Sequence, residues 1–244
     1  MALFNGLYLY EVVLLVLGVL FFLVLSVAFV GLLRQGQPFG KLLPFFGIPI
    51  VMIGFPSIKS FEFSDGVLKI EKDTRALQQD PTNRPLRDQL TNEVASISPR
   101  PTKDPGVLST VARAQIALGN NMAAEANIQK ALQASPQFAQ ALDVKKRLEL
   151  DRRLTILASR LEQNSNDTAA KAELRQTVSE AAHLPVASPV TMANIAHAQM
   201  VIGEHVQAES NINRALTIDP NLAAAKELKN RIKTVVVQPT PGHP

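Results

Sequence analysis

The hydrophobic pattern divides the chain into an apolar N-terminal part and a longer part with helical periodicity. Residues 12–33 form a run of 22 residues without a charge. At about 1.5 Å per residue this run makes about 33 Å of helix, which is enough to cross a bilayer. The first ten residues contain no Lys or Arg, whereas a cleaved signal peptide begins with a basic segment and has a shorter apolar core. The pattern therefore predicts a retained transmembrane helix at 12–33.

A second apolar segment, residues 42–58, lies between Lys41 and Lys59. Its length is at the lower limit for a membrane span, and its prolines and glycines would kink a helix and leave backbone groups unpaired in lipid. The segment can therefore cross the membrane, enter it and return, or lie at its surface. Because it is uncharged throughout, crossing is slightly favoured, and residues 1–58 are predicted to be a membrane anchor.

The charges around the first helix indicate its orientation. Arg34 and Lys41 follow it and no basic residue precedes it, so the positive-inside rule places residues 34–41 in the cytoplasm. The chain after residue 58 then lies outside the cytoplasm if the second segment crosses, and inside it otherwise. We expect a single-pass or two-pass protein of a bacterial inner membrane, with a slight preference for an extracytoplasmic domain.

Residues 61–72 alternate between apolar and polar positions around Asp65 and Gly66. This is the pattern of a short β-hairpin. A helix that continues to Gln79 is the competing interpretation. In both cases residues 59–83 are expected to form a collar or linker between the anchor and the rest of the chain.

The rest of the chain contains an internal duplication, because a shift of 84 residues aligns its two halves without a gap. Identical residues of the first copy, each of which recurs 84 positions later, include Leu77, Leu90, Val94, Pro101, Pro105, Ala112, Ala114, Gln115, Gly119, Ala124, Glu125, Asn127, Ile128, Ala131, Leu132 and Pro136. Within each copy the apolar residues recur at three- and four-residue steps, which is the spacing of one face of a helix. The duplication therefore concerns pairs of amphipathic helices.

Helical periodicity also extends beyond the matching residues. Residues 84–97 and 168–183 fit degenerate helices, and 138–161 fits a long helix that bridges the two copies. We assign residues 84–150 to the first unit and 151–234 to the second. Residues 235–244 are predicted to be a disordered tail.

The small and apolar positions of each copy resemble the tetratricopeptide repeat (TPR), a helical hairpin of about 34 residues. From Pro105 the motif positions are Leu108, Val111, Ala112, Gly119, Ala124, Ile128, Ala131 and Pro136, and from Pro189 they are Met192, Ile195, Ala196, Gly203, Ala208, Ile212, Ala215 and Pro220. The family usually has an aromatic residue where this sequence has Gln115 and Gln199. The resemblance covers residues 105–138 and 189–222, and it implies an all-α fold in which antiparallel helix pairs stack into a solenoid.

The same resemblance implies a groove that holds a peptide or a helix of a protein partner, and in the family the first helix of each repeat lines this groove. The corresponding residues here are Ser109, Arg113, Ile116, Ala193, His197 and Met200. Packing against neighbouring helices is an equally good interpretation for several of them. Because Arg113 is the main charge among them, a mostly apolar ligand with one carboxylate is expected.

Composition and motifs argue against several other functions. The chain has no cysteine, which excludes disulfides and thiolate metal sites. Searches for metalloprotease, phosphate-loop, nucleophile-elbow and calcium-loop motifs find none, so we assign no catalytic residue, cofactor or metal ligand. Removing Arg34, Lys41 and Glu11 from the totals of 25 basic and 21 acidic residues leaves 23 and 20, a net charge of +3 for residues 59–244. These charges are interspersed, so nucleic acid is not an expected partner.

Two functions are compatible with this sequence. The first is a membrane-anchored adaptor that binds a protein partner or docks within a larger membrane complex, where tethering raises the effective concentration of the partner. The second is a small transport or membrane-complex subunit whose membrane segments are the active part and whose repeats mediate self-assembly into a homo-oligomer. A charge inside the apolar segments would support the second. Residues 12–33 and 42–58 contain none, so the adaptor ranks first and is not expected to be an enzyme.

Overall fold

The computed structural model describes residues 7–35, 43–184 and 188–236. Within these ranges the chain is all-helical and has no strand, which confirms the predicted all-α class. The α-helices are α1 (Leu9–Arg34), α2 (Gly47–Gln79), α3 (Arg84–Ile97), α4 (Pro105–Ala117), α5 (Asn121–Ala134), α6 (Ala139–Gln163), α7 (Thr168–Ala182), α8 (Pro189–Ile202), α9 (His205–Ile218) and α10 (Ala223–Val236), and a 3-10 turn at Leu43–Phe46 precedes α2.

Helices α1 and α2 pack as an antiparallel hairpin. A Cβ atom at Gly18 would lie 2.9 Å from the Cβ atom of Met52, and further along α1 the ring of Phe22 meets the ring of Phe46 edge-on, with their centroids 5.6 Å apart. Two helical stretches, Leu9–Arg34 and Leu43–Gln79, are long and apolar enough to cross a membrane. Because Gly18 has no side chain, these two stretches can approach each other closely.

The buried stripe of α2 has a period of seven residues. Its members include Pro49, Pro56, Phe63, Ile70 and Leu77, and a seven-residue repeat keeps one side of a helix facing its neighbours over a long distance. The first two positions belong to the hairpin, whereas the last three belong to a hydrophobic core with α3 and α4. One stripe on one helix therefore joins the apolar hairpin to the rest of the molecule.

The β-hairpin interpretation of residues 61–72 is wrong, because α2 runs through them without a break and ends at Gln79. Asp65 and Gly66 are not a turn. Asp65 makes an ion pair of 2.8 Å with Lys69 one turn later in the helix. At Gly66 a Cβ atom would lie only 2.8 Å from the Cδ1 atom of Ile97. Gly66 is thus a point of close contact between α2 and α3.

From α2 onwards, each helix contacts the next one, and the alternate helices α2, α4, α6, α8 and α10 also contact one another in series. Four hydrophobic clusters fill the spaces between successive groups of three helices. Core positions recur with the 84-residue shift: Ile70, Leu77 and Leu90 in the first cluster correspond to Leu154, Leu161 and Leu174 in the third. The duplication in the sequence is therefore matched by equivalent buried positions.

Helix ends explain the local structure of both copies. Side chains accept hydrogen bonds from backbone N–H groups at the start of α3, α4, α5, α7 and α8, and such caps stabilise helix starts; the capping residues are Asn83, Asp104, Asn120, Asp167 and Ser188. Gly119 and Gly203 follow α4 and α8 with φ angles of 88° and 91°. This left-handed conformation favours glycine and allows a tight turn into the next helix.

Helix α6 confirms the predicted bridging helix, and α3 and α7 confirm the predicted degenerate helices. The first part of α6, with Ala141 and Val144, belongs to the core shared with α4 and α5. Its second part, from Leu150 to Leu161, belongs to the core shared with α7 and α8. Helix α10 includes residues 235 and 236 of the predicted tail, and residues 237–244 lie outside the described ranges.

Candidate functional site

Three of the six predicted groove residues pack inside the molecule. Ser109 is 0% exposed and its hydroxyl donates a hydrogen bond of 2.6 Å to the carbonyl oxygen of Pro105. Ala193 and Met200 belong to the hydrophobic core that joins α8, α9 and α10. Their positions agree with the packing interpretation, because these sides of the first helices face neighbouring helices.

Arg113 and His197, which correspond across the 84-residue shift, each reach a glutamate on the preceding helix of the alternate series. The Nη2 atom of Arg113 lies 3.6 Å from the Oε1 atom of Glu71 on α2. The Nε2 atom of His197 lies 2.9 Å from the Oε1 atom of Glu162 on α6. Both basic side chains remain partly exposed, so they are available at the surface as well as bridging two helices.

Glu162 connects three helices of the series. In addition to His197 on α8, it accepts a hydrogen bond of 2.6 Å from the Nη2 atom of Arg231 on α10. These hydrogen bonds, first from His197 and then from Arg231, lower the pKa of the Glu162 carboxyl below its usual range. Glu71 is shared in a similar way, because it also pairs with Arg75 at 2.6 Å. We define the ion-pair face as Glu71, Arg75, Arg113, Glu162, His197 and Arg231.

The acidic members of the ion-pair face were missed at the sequence level. The duplication relates Arg113 to His197, but the position equivalent to Glu71 is Thr155, and the position equivalent to Glu162 is Gln78. The two corresponding basic side chains are therefore paired with glutamates that do not correspond to each other in the duplication. Only the path of α2 and α6 past α4 and α8 reveals these partners.

Asp151 forms a second polar centre, between the two copies. Its carboxylate accepts hydrogen bonds from the Nδ2 atoms of Asn121, at 2.7 Å, and Asn194, at 3.1 Å. Burial raises the pKa of the Asp151 carboxyl, and the hydrogen bonds from Asn194, Thr191 and Asn121 offset this only in part. Helices α5, α6 and α8 are thus joined through one carboxylate.

A small cavity of about 50 Å³ adjoins Asp151. Its lining includes Ile116, the remaining predicted groove residue, together with Arg113 and Asn121. Because a buried water needs roughly 10–15 Å³ of such space, the cavity has room for a few water molecules. Ile116 therefore lies beside a water-sized space between the copies.

Two larger grooves open on the surface. One of about 770 Å³ lies between α5 and α6, and its apolar lining includes Met122 and Ile156, both well exposed. The other, of about 560 Å³, lies between residues 98–103 and helices α4 and α5. Both were missed from the sequence, because each is formed by residues from separate helices or loops.

Within residues 7–35, 43–184 and 188–236, no group of three or more His, Asp or Glu side chains is arranged to hold a metal ion. Comparison with protein-family models, with curated proteins and with solved structures finds no match. The resemblance to the tetratricopeptide repeat therefore depends on the residues that carry it in this chain.

Proposed function

We propose that the chain is a membrane-anchored, TPR-like helical scaffold that binds a protein partner or docks within a larger membrane complex. The observation that carries the proposal is the series of contacts among α2, α4, α6, α8 and α10. A stacked series of this kind presents a continuous surface made from one helix of each pair, which is how helical repeat proteins bind partners.

Repeated polar contacts support the TPR-like arrangement. Asn127 donates a hydrogen bond of 2.9 Å to Gln115 between α5 and α4, and Asn211 donates one of 2.8 Å to Gln199 between α9 and α8. Corresponding hairpins in the two copies are thus held at the same point. This fits two units that were duplicated as wholes.

The apolar hairpin supports the membrane anchor. Most of the large apolar side chains along α1 and the first part of α2 are exposed, including Leu20, Val24 and Val51. Exposure of so many apolar side chains to water would be unfavourable, whereas in a bilayer the same side chains would contact the lipid chains. Anchoring would confine the scaffold and its partner to two dimensions and increase their encounter.

The ion-pair face is the proposed partner surface. It carries three arginines and two glutamates in addition to His197, so it favours a partner segment with an excess of carboxylates. This modifies the expectation of a mostly apolar ligand, because Arg75 and Arg231 lie on the same face as Arg113. The exposed guanidinium groups of these arginines can exchange their glutamate partners for carboxylates of a bound protein at little cost.

Site-specific photo-crosslinking would test this proposal. A photoreactive residue would replace Arg75 on α2 or Arg231 on α10 in the full chain in its native membrane, and Arg175, exposed on α7, would be the matched control. A discrete crosslinked protein from the first two sites and none from the control is expected. Equal crosslinking from all three sites, or no crosslinking from any of them, would exclude the ion-pair face as the partner surface.

The charge-reversal variants Arg113→Glu and His197→Glu provide a second arm of the experiment. Each places a carboxylate beside Glu71 or Glu162, so thermal unfolding must be measured with each. We expect loss of the crosslinked partner at temperatures where circular dichroism shows that the helices remain folded. Retention of the partner by both folded variants would move the binding surface elsewhere.

A transport or membrane-complex subunit is the second candidate, and Glu11 is the observation that favours it. Glu11 is 4% exposed at the start of the apolar helix α1. It accepts a hydrogen bond of 2.8 Å from the backbone nitrogen of Tyr8, so it acts as a helix cap. Ion or solute flux through vesicles containing the chain that disappears in Glu11→Gln would favour this candidate over the scaffold.

A further inference from the structure

The hairpin geometry fixes which residues lie at the end of the apolar region nearest the helical domain. Gly18 on α1 faces Met52 on α2. Tyr10 lies eight residues before Gly18, and Lys59 lies seven residues after Met52. In an antiparallel pair with equal rise per residue, Tyr10 and Lys59 are therefore at the same level.

The residues at this level are those found where membranes meet water. The rings of Tyr8 and Tyr10 stack with their centroids 5.8 Å apart, and both are exposed. Phe61, two residues after Lys59 along α2, is also exposed. Aromatic rings and basic residues at the end of an apolar helix are typical of the headgroup region of a bilayer.

Arg100 brings the loop between α3 and α4 to the same level. Its Nη1 atom donates a hydrogen bond of 3.3 Å to the carbonyl oxygen of Lys59. Its guanidinium group lies 6.0 Å from the centre of the Phe63 ring, one turn further along α2. The loop of residues 98–104 is therefore held beside the point at which α2 leaves the apolar region.

The groove next to this loop is positively charged. Its lining includes Arg100, Lys103 and Lys130, and no carboxylate side chain from the described part of the chain lines it. Lys103 and Lys130 are exposed, and neither forms an ion pair with another described residue. The nearby carboxylate of Asp104 caps α4 by accepting hydrogen bonds from Gly106 and Val107.

The second copy provides an internal comparison. The positions equivalent to Arg100 and Lys103 are Leu184 and Ala187, and the position equivalent to Lys130 is Arg214. Only the copy that is joined directly to the apolar hairpin through α2 thus combines all three positive charges. The charge of this groove is a difference between two otherwise related units.

We propose that this groove binds the headgroup phosphate of an anionic phospholipid in the leaflet nearest the helical domain. The proposal rests on the membrane placement of α1 and α2, and it is independent of whether a protein binds the ion-pair face. Arg100, Lys103 and Lys130 supply the charge, and the groove of about 560 Å³ receives the headgroup. The domain would then be held against the bilayer by its loop as well as by α2.

Native mass spectrometry of the full chain in neutral detergent would test this site. The chain would be titrated with phosphatidylglycerol, with phosphatidylcholine and with inorganic phosphate. Saturable binding of one phosphatidylglycerol molecule is expected, with weaker binding of the other two. Because each basic residue near an anionic surface contributes about fivefold in affinity, Lys103→Gln with Lys130→Gln should weaken phosphatidylglycerol binding by about 25-fold.

Arg214→Gln is the matched control, because it removes the equivalent charge from the second copy. It should bind phosphatidylglycerol as the unaltered chain does. The double variant leaves Arg100 and its contacts with α2 in place, so loss of binding would not reflect a damaged fold. Arg100→Gln would be added afterwards and should weaken binding further.

Three results would overturn the proposal: equal binding of the two lipids, equal binding by the double variant and the unaltered chain, or displacement of the lipid by inorganic phosphate. Release of the chain from native membranes by salt or alkali without detergent would instead overturn the membrane placement itself. The extraction with salt and alkali is therefore carried out before any lipid titration. Failure of the lipid site would leave the crosslinking test of the protein partner unaffected.

Discussion

Gln115 and Asn127 are joined by a hydrogen bond of 2.9 Å that holds α4 against α5. Gln115 is only 6% exposed, as is its counterpart Gln199. A buried amide is tolerated only when its hydrogen bonds are made. Each glutamine therefore depends on the asparagine of the following helix.

Asn127→Ala should destabilise the chain, because it leaves the Oε1 atom of Gln115 buried without this donor. The expected loss is about 1–3 kcal/mol, the cost of an unpaired buried polar group. Chemical denaturation of the full chain in detergent, followed by circular dichroism, would measure it.

Asn211→Ala should produce a loss of similar size in the second copy. Asn92→Ala, at an exposed position on α3, is the control and should change the stability little. If Asn127→Ala were as stable as Asn92→Ala, the glutamine–asparagine contact would not stabilise the hairpin.

Asp151→Asn should increase stability at neutral pH. Because the pKa of Asp151 is raised in the folded chain, its protonated form is favoured there. Its contribution is fully present below the unfolded-state pKa and is lost as the pH rises through the folded-state pKa. The substitution removes the ionised form, and the new amide can donate to the Oδ1 atom of Asn121, which is buried and has no hydrogen-bond partner among the described residues.

The gain in Tm from Asp151→Asn should therefore disappear as the pH falls into the acid range. Asp151→Ala is the comparison, and it should lower the Tm at both pH values because the amides of Asn121 and Asn194 lose their acceptor. A lower Tm for Asp151→Asn than for the unaltered chain at pH 7 would contradict this account of the buried carboxylate.

Glu162→Gln should show the opposite pH dependence. Hydrogen bonds from His197 and Arg231 lower the pKa of Glu162 in the folded chain. Its contribution is therefore present above the unfolded-state pKa and is lost as the pH falls through the folded-state pKa. Because Glu162 is 36% exposed, the loss at pH 7 should be at most about 1 kcal/mol.

Melting curves at pH 7 and in the acid range would measure this difference, which should shrink as the pH falls. Glu209→Gln, at an exposed position on α9, is the control and should behave as the unaltered chain at both pH values. A Glu162→Gln effect that grew on acidification would exclude the assigned ion pairs.

Gly18→Ala should weaken the packing of α1 on α2. The added methyl group would lie 2.9 Å from the Cβ atom of Met52 and 3.3 Å from the backbone nitrogen of Ile53, so the helices must move apart. Overpacking of this kind costs about 1–3 kcal/mol. Gly31→Ala is the control, because no other helix or loop in the described part of the chain lies within 4 Å of the added atom. Thermal unfolding in detergent should separate the two variants, and equal Tm values would argue against a close hairpin.

Much of the fold could be predicted because its signals are local. Pro105 and Pro189 begin helices, Gly119 and Gly203 end them, and the steps of three and four residues between apolar positions are helical in both copies. The alternation at residues 61–72 misled because the decisive signal there has a period of seven and extends over α2 to Leu77. That signal acquires meaning only when α1, α3 and α4 are present to bury it.

The candidate site was less predictable, because it is made of contacts between distant parts of the chain. The duplication made Arg113 and His197 comparable, but Glu71 and Glu162 occupy unrelated positions in the repeat. Asp151 lies between the copies, so no repeat pattern points to it. Ser109 and Ala193 were predicted to line a groove but are buried. The sequence pattern identified the helix face on which they lie, but it could not show that a neighbouring helix covers that face.

Because α2 is one continuous helix, it sets the orientation of the helical domain relative to the apolar hairpin. At 33 residues α2 is about 50 Å long, and its ends belong to different environments. If the hairpin crosses a membrane as proposed, a bilayer thin enough to tilt the hairpin would tilt the helical domain with it. Likewise, one residue inserted near Phe61 would turn the helical domain by about 100° relative to the hairpin. The tilt and the helical phase of α2 together set which way the later helices point.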